Sequence, residues 1–120
     1  STLSDYLLQK KKQMSLSRVQ QSEWLVYFHE ILFFALELSK ALCYLHNEAI
    51  VSKRLVHRDL KPANIMFTRG ELKLIDFGLS ATISKGEGLR SFLKDGQTGS
   101  YRYMAPEVAR GAPYNEKVDV

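Results

Sequence analysis

Val56-His57-Arg58-Asp59-Leu60-Lys61-Pro62-Ala63-Asn64, followed after a short interval by Asp76-Phe77-Gly78, is the stretch from which the rest of this chain is read. The interval holds Ile65-Met66-Phe67-Thr68, a polar break Arg69-Gly70-Glu71, and Leu72-Lys73-Leu74-Ile75. Two short apolar runs of equal length around a glycine-containing break predict a β-hairpin. An antiparallel hairpin brings the chain back to where it left. Asn64, just before the first strand, and Asp76, just after the second, are therefore expected side by side. An amide oxygen and a carboxylate held together are hard donors suited to Mg²⁺ with phosphate completing the shell.

The same segment offers a base and a cation. Pro62 lacks a backbone donor and pushes Lys61 toward extended geometry, so Asp59 to Asn64 is predicted as a loop whose side chains can converge. Asp59 would lie close to the proposed metal, and Lys61 places a flexible ammonium near a bound phosphate. Carboxylate, ammonium and metal pair together are the parts that phosphoryl transfer requires, because that reaction depends on positioning and charge neutralisation.

His57-Arg58-Asp59-Leu60-Lys61-Pro62-Ala63-Asn64, then Asp76-Phe77-Gly78, then Ala105-Pro106-Glu107 resemble the eukaryotic protein kinase signature, in its usual order. Gly99-Ser100-Tyr101-Arg102-Tyr103-Met104-Ala105-Pro106-Glu107 is most similar to the tyrosine-kinase-like group of Ser/Thr kinases. The resemblance implies an α+β, protein-kinase-like fold. Residues 1–120 would form a partial kinase domain, from the helix after the hinge to the start of the central helix of the C-terminal lobe. That piece would be mostly helical, with one small β-hairpin carrying the catalytic site and the N-terminal lobe absent.

By the same resemblance, Asp59 is the proton acceptor, Lys61 neutralises the transferring phosphate, Asn64 and Asp76 hold Mg²⁺, and Met66 faces the adenine of ATP. Lys61 at its position resembles Ser/Thr kinases. Ser100 stands where the family carries a threonine that bonds Asp59 and Lys61, and its hydroxyl keeps that role in the substrate-docking loop. His57 is expected as a core support packing with Phe77 rather than as a base, and Asp119 matches the aspartate that braces the backbone of the catalytic loop. Leu79 to Thr98 is expected as the activation loop, with Thr82, Ser84, Ser91 and Thr98 as candidate phosphorylation sites and Arg58 as the receiver of such a phosphate. Gly86-Glu87-Gly88 reads as flexibility, since no strand precedes it and a third glycine is missing.

The chain has 120 residues, the size of one small domain, and a net charge of +4. That charge is too mild and dispersed to argue for nucleic acid; its one compact basic run, Lys10-Lys11-Lys12, reads as a solvated helix end. Cys43 is the single cysteine, which excludes an internal disulfide and fits a reducing compartment. It is expected as a buried thiol. Trp24 to Leu45 is strongly apolar, but His29, Glu30, Glu37 and Lys40 interrupt it, so no membrane segment is expected. Localisation is expected in the cytoplasm, or on the cytoplasmic side of a membrane.

Upstream of the motifs, Thr2 or Ser4 can cap a first helix running to about Lys12, with Leu3, Leu7 and Leu8 on one face. Gln13 to Ser22 is polar and predicts a linker or insertion. Glu23 to His46 predicts the longest helix, with Tyr27, Ile31, Phe34, Leu38, Ala41, Leu42 and Leu45 on its core face, and an apolar surface wide enough for burial on more than one side.

The function expected is transfer of the ATP γ-phosphate to Ser/Thr hydroxyls of a protein substrate, the isolated piece itself being inactive. A pseudokinase or scaffold is the alternative. Against it, Asp59, Lys61, Asn64 and Asp76 are all present, residues that a scaffold would be free to lose. A small-molecule phosphotransferase shares the metal residues but usually lacks the Ala105-Pro106-Glu107 element.

Overall fold

The computed structural model describes residues 1–16, 21–85 and 98–120, with side chains at 1–14, 25–85 and 98–120. Two compact units divide the chain: Ser1–Ala41 with Pro62–Ile75, and Leu42–Lys61 with Asp76–Val120.

In the first unit, α1 spans Leu3–Leu16. Its start is a reciprocal cap. The Asp5 N–H donates to Thr2 Oγ1 at 3.2 Å, and Asp5 Oδ2 accepts from the Thr2 N–H at 3.0 Å and the Thr2 hydroxyl at 2.8 Å. The helix runs past Lys12 because Gln13, Met14 and Leu16 are helix-compatible residues with no Gly or Pro among them. Of the expected linker at 13–22, residues 13–16 belong to α1 and residues 21–22 to α2, Gln21–Asn47, while 17–20 lie outside the described residues. Leu3 and Leu7 are half-buried as expected, whereas Leu8 is exposed.

Ile65 is the buried apolar residue of this unit among the described residues, and a partly exposed aromatic cluster joins its elements. Tyr6 of α1 meets Phe34 of α2 edge-on with ring centroids 5.2 Å apart, and Phe34 and Phe33 meet Phe67 at 5.4 and 6.0 Å. The Tyr6 hydroxyl donates to the Glu30 carboxylate, which also pairs with Lys10 at 3.0 Å. Ile31 and the neighbouring Val26, Phe28, Leu32 and Leu36 are exposed, so the expected burial of α2 on more than one side does not occur among the described residues.

Phe67 lies on β2, Ile65–Thr68, which pairs antiparallel with β3, Glu71–Leu74. This is the expected hairpin, shifted by one residue in its second strand. Arg69 and Gly70 both have positive φ, +53° and +82°, the signature of a two-residue type I′ turn whose twist matches the flanking strands. Thr68 therefore pairs with Glu71. Chain entry adds to the ribbon: Thr2 bridges to Met66, and the Phe67 N–H donates to the Ser1 carbonyl at 3.0 Å.

In the second unit the end of α2 buries Leu42, Leu45 and His46 on one face. Cys43 lies on the opposite face and is exposed, so the expected buried thiol is not found. Its neighbour one turn on, Asn47, donates to the Cys43 carbonyl at 3.0 Å. A second two-stranded sheet, not expected from the sequence, pairs β1, Lys53–Val56, antiparallel with β4, Ala81–Ser84. It buries Val56 and Ile83, and the Lys85 N–H closes its end on the Ser52 carbonyl at 2.8 Å. What was expected as the opening of an activation loop is thus a strand. The unit ends with α3, Pro106–Ala109, which starts with Pro at its first position, and a 3₁₀ turn, Glu116–Asp119. Glu116 pairs with Arg54 of β1 at 3.2 Å.

Candidate active site

The loop after β1 is held from below by one carboxylate. Asp119, 4% exposed, accepts the His57 N–H at Oδ2 and the Arg58 N–H at Oδ1, both at 2.8 Å. Its Oδ2 also lies 3.0 Å from His46 Nε2. These bonds satisfy two backbone donors that burial would otherwise orphan. They also hold Arg58 in the left-handed region, φ +68°, uncommon for a residue with a side chain. Asp119 is thus the brace that the resemblance implies.

His57 has no exposed surface and packs against Phe77, ring centroids 4.9 Å apart. Its Nδ1 accepts the Asp59 N–H at 3.3 Å. The ring is committed to the loop's own backbone, as a core support would be.

Beyond this base, three polar side chains close on one another. Lys61 Nζ donates to Asp59 Oδ2 at 2.6 Å and to Ser100 Oγ at 2.9 Å. The Ser100 N–H donates to Asp59 Oδ1 at 2.9 Å. Asp59 is 7% exposed. That burial pushes its carboxyl up, but the hydrogen bonds from Lys61 and from the hydroxyl and N–H of Ser100, with the Lys61 charge, outweigh it and hold the pKa below the ordinary aspartate value. Asp59 is an anion whose two oxygens are aimed by its neighbours.

Arg58 points to the other side. Its Nε donates to the Leu79 carbonyl, and its Nη1 donates to the Tyr114 hydroxyl at 3.0 Å. Arg58, Asp59, Thr98, Ser100 and Tyr114 line one cavity of the second unit. Of the other regulatory candidates, Thr82 and Ser84 lie exposed on β4, and Ser91 falls outside the described residues, as does Gly86-Glu87-Gly88.

The metal candidates belong to different units, Asn64 to the first and Asp76 to the second. In the first unit, the Ile75 N–H donates to the Asn64 carbonyl at 3.0 Å, so the hairpin returns to Asn64. Asn64 is buried at the end of a 3₁₀ turn, Pro62–Asn64, where an irregular loop was expected. Met66 is half-buried on β2. Asp76 is the residue after Ile75 and belongs to the second unit; it is exposed, has φ +63°, and its Oδ1 lies 3.4 Å from the Gly78 N–H.

Two residues of the site escaped the sequence reading, His46 under Asp119 and Tyr114 against Arg58. A histidine at the end of an apolar helix and a tyrosine in a polar segment carry no spacing that marks them.

Residues 4–120 match the family model described as the protein kinase domain. The chain is 46% identical over 90 residues to serine/threonine-protein kinase VIK of Arabidopsis thaliana, covering 72% of this chain and 20% of that protein. It is 45% identical over 89 residues to probable serine/threonine-protein kinase mkcF of Dictyostelium discoideum, covering 73% and 12%. It is 40% identical over 82 residues to mitogen-activated protein kinase kinase 1 of Arabidopsis thaliana, covering 68% and 21%. The chain belongs to the protein kinase domain family. It spans about a fifth or less of the length of these relatives.

Proposed function

We propose that this chain carries the catalytic loop of a Ser/Thr protein kinase of the tyrosine-kinase-like group, which transfers the γ-phosphate of ATP to Ser or Thr hydroxyls of a protein substrate. The carrying observation is Lys61 bridging Asp59 and Ser100 at 2.6 and 2.9 Å. An anionic, oriented carboxylate can accept the proton of an incoming hydroxyl, and an ammonium beside it can neutralise charge on the transferring phosphoryl group. Ser100 aims both and contributes to docking the substrate segment.

Asn64 and Asp76 are the residues that would hold Mg²⁺. Their amide and carboxylate oxygens are the hard donors this ion takes, and two protein donors suit a cation that keeps water and phosphate oxygens in its shell. Among the described residues no group of three His, Cys, Asp or Glu competes as a metal cage. The bound ion would neutralise the β- and γ-phosphates. Met66 would lie under the adenine.

Arg58 and Thr98 line one cavity, which supports Arg58 as the receiver of an activation-loop phosphate and Thr98 as a candidate site to carry it, beside Thr82, Ser84 and Ser91. Arg58→Ala in the full-length enzyme should abolish any dependence of activity on loop phosphorylation; an unchanged dependence removes this role. The enzyme would act in the cytoplasm or on the cytoplasmic face of a membrane. No described helix is long and apolar enough to cross one.

The test is kinase assay of the full-length protein with ATP, Mg²⁺ and a generic Ser/Thr peptide, beside Asp59→Asn. Transfer by the wild type, reduced about 10²–10⁴-fold in the variant with nucleotide binding retained, supports the reading. Equal, absent transfer in both with intact nucleotide binding makes the domain a pseudokinase scaffold.

A further inference from the structure

Tyr114 is the one phenol of the second unit that is essentially closed to solvent, 3% exposed, among the described residues. Its hydroxyl accepts from Arg58 Nη1 at 3.0 Å. The same guanidinium uses Nε for the Leu79 carbonyl. The two acceptors come from separate segments: Leu79 follows Asp76-Phe77-Gly78 directly, and Tyr114 precedes the turn that carries Asp119. A planar guanidinium presents its donors in a rigid fork, so fixing Nη1 fixes the direction of Nε.

Arg58 is also pinned at its backbone. Its N–H is held by Asp119 while φ sits at +68°. Arg58 and Asp59 share a peptide bond, so what orients one bears on the other. With the backbone held by Asp119 and the side chain by Tyr114 and Leu79, little freedom remains at the residue preceding the proposed base.

We propose that Tyr114 is a positioning residue of the phosphotransfer site. Through its hydroxyl it holds the Arg58 guanidinium in the orientation that ties Leu79 to the catalytic loop, and so keeps Asp59 and the Asp76-Phe77-Gly78 segment in register. Tyr114 itself touches none of the proposed reacting groups. Its side chain is buried and lines a cavity together with Val108 and Val118, and a phenylalanine keeps the ring while removing only the hydroxyl. The hydroxyl oxygen is the atom that accepts from Arg58. This inference rests on the kinase reading above.

The experiment is a double-mutant cycle in the full-length enzyme, Tyr114→Phe, Arg58→Ala and the pair, read as kcat and KM for a peptide substrate. Loss of a hydrogen bond to a charged group predicts a fall in kcat of about tenfold for Tyr114→Phe, with KM for peptide within about twofold. In the Arg58→Ala background, Tyr114→Phe should add nothing. Unchanged kcat in Tyr114→Phe, or losses that multiply in the double variant, overturn the proposal, since the tyrosine would then act by packing or apart from Arg58. Should Tyr114→Phe fail to fold, Arg58→Lys reads the same contact: one ammonium lacks the fork that serves both acceptors, and wild-type kcat there overturns it too. A wild-type enzyme that transfers no phosphate overturns the kinase reading, and this inference with it.

Discussion

Gly99 lies against the Arg58 carbonyl so closely that a methyl group in place of its α-hydrogen would stand 2.4 Å from the carbonyl oxygen. The obstacle is backbone, on the loop that Asp119 braces, and cannot swing aside. Gly99 also sits at φ +109°, where L side chains are strained. The next residue, Ser100, supplies the N–H bonded to Asp59. Gly99→Ala should therefore separate the two loops and take Ser100 off the carboxylate. In the full-length enzyme we expect near-complete loss of kcat and a destabilisation of about 1–3 kcal/mol, measured by peptide phosphorylation and urea unfolding.

Asp119 accepts the buried His57 N–H and the part-buried Arg58 N–H and contacts His46, so its removal leaves both donors without this acceptor. Asp119→Ala is expected to cost about 3 kcal/mol or more, since each unsatisfied buried donor costs about 1–3 kcal/mol. Asp119→Asn keeps one acceptor oxygen and should lose less, about half as much. Denaturant midpoints of the two variants at equal slope check the order; a smaller loss for alanine would contradict the bracing role.

Ser100 acts on the site through two different atoms. Its backbone N–H holds Asp59 Oδ1, and its hydroxyl oxygen accepts from Lys61. Ser100→Ala keeps the backbone bond and removes the hydroxyl's contacts with Lys61 and with the Asp59 carboxylate, leaving both side chains less tightly held. A fall in kcat of about tenfold is expected, the scale of one hydrogen bond to a charged group. Ser100→Thr retains the hydroxyl and should retain activity. Steady-state assay of both variants checks the contrast, and equal activities would place the contribution in the backbone alone.

The hairpin was legible because its information is local. Two apolar runs and Arg69-Gly70 lie within a few residues of one another, and only the type I′ turn, one residue tighter than expected, moved the second strand. The β1/β4 sheet was not legible for the converse reason. Lys53-Arg54-Leu55-Val56 and Ala81-Thr82-Ile83-Ser84 are short, half polar and remote from each other, and they become strands by pairing rather than by propensity. Cys43 shows the limit of an apolar helix as a guide to burial: Leu42 and Leu45 take the inner face, and the residue between them turns outward. Within the site, Lys61 beside Asp59 follows from a two-residue separation just before Pro62. The convergence of Ser100 was implied only by the family resemblance, and Tyr114 by nothing in the pattern at all.

Asp59 gives the pH dependence its sign. Burial raises its pKa, and the bonds from Lys61 and Ser100 with the Lys61 charge lower it further than burial raises it. The folded pKa therefore lies below the unfolded value of about 3.9. A group depressed in this way contributes stability that is present above the unfolded pKa and is lost as pH falls through the folded one. The proton-accepting form of Asp59 should likewise persist down to the acid edge of the domain's stability, so no acid limb from this residue is expected above about pH 4. Lys61→Met removes one lowering bond and the charge while leaving the burial. Its Asp59 pKa moves upward, so the acid limb in kcat/KM that this residue sets shifts to higher pH than in wild type, on top of a lower plateau. The profile of the full-length variant from pH 4.5 to 8, compared with wild type, reads this directly. A limb that stays put, or moves to lower pH, would mean that Lys61 is not what keeps Asp59 ionised.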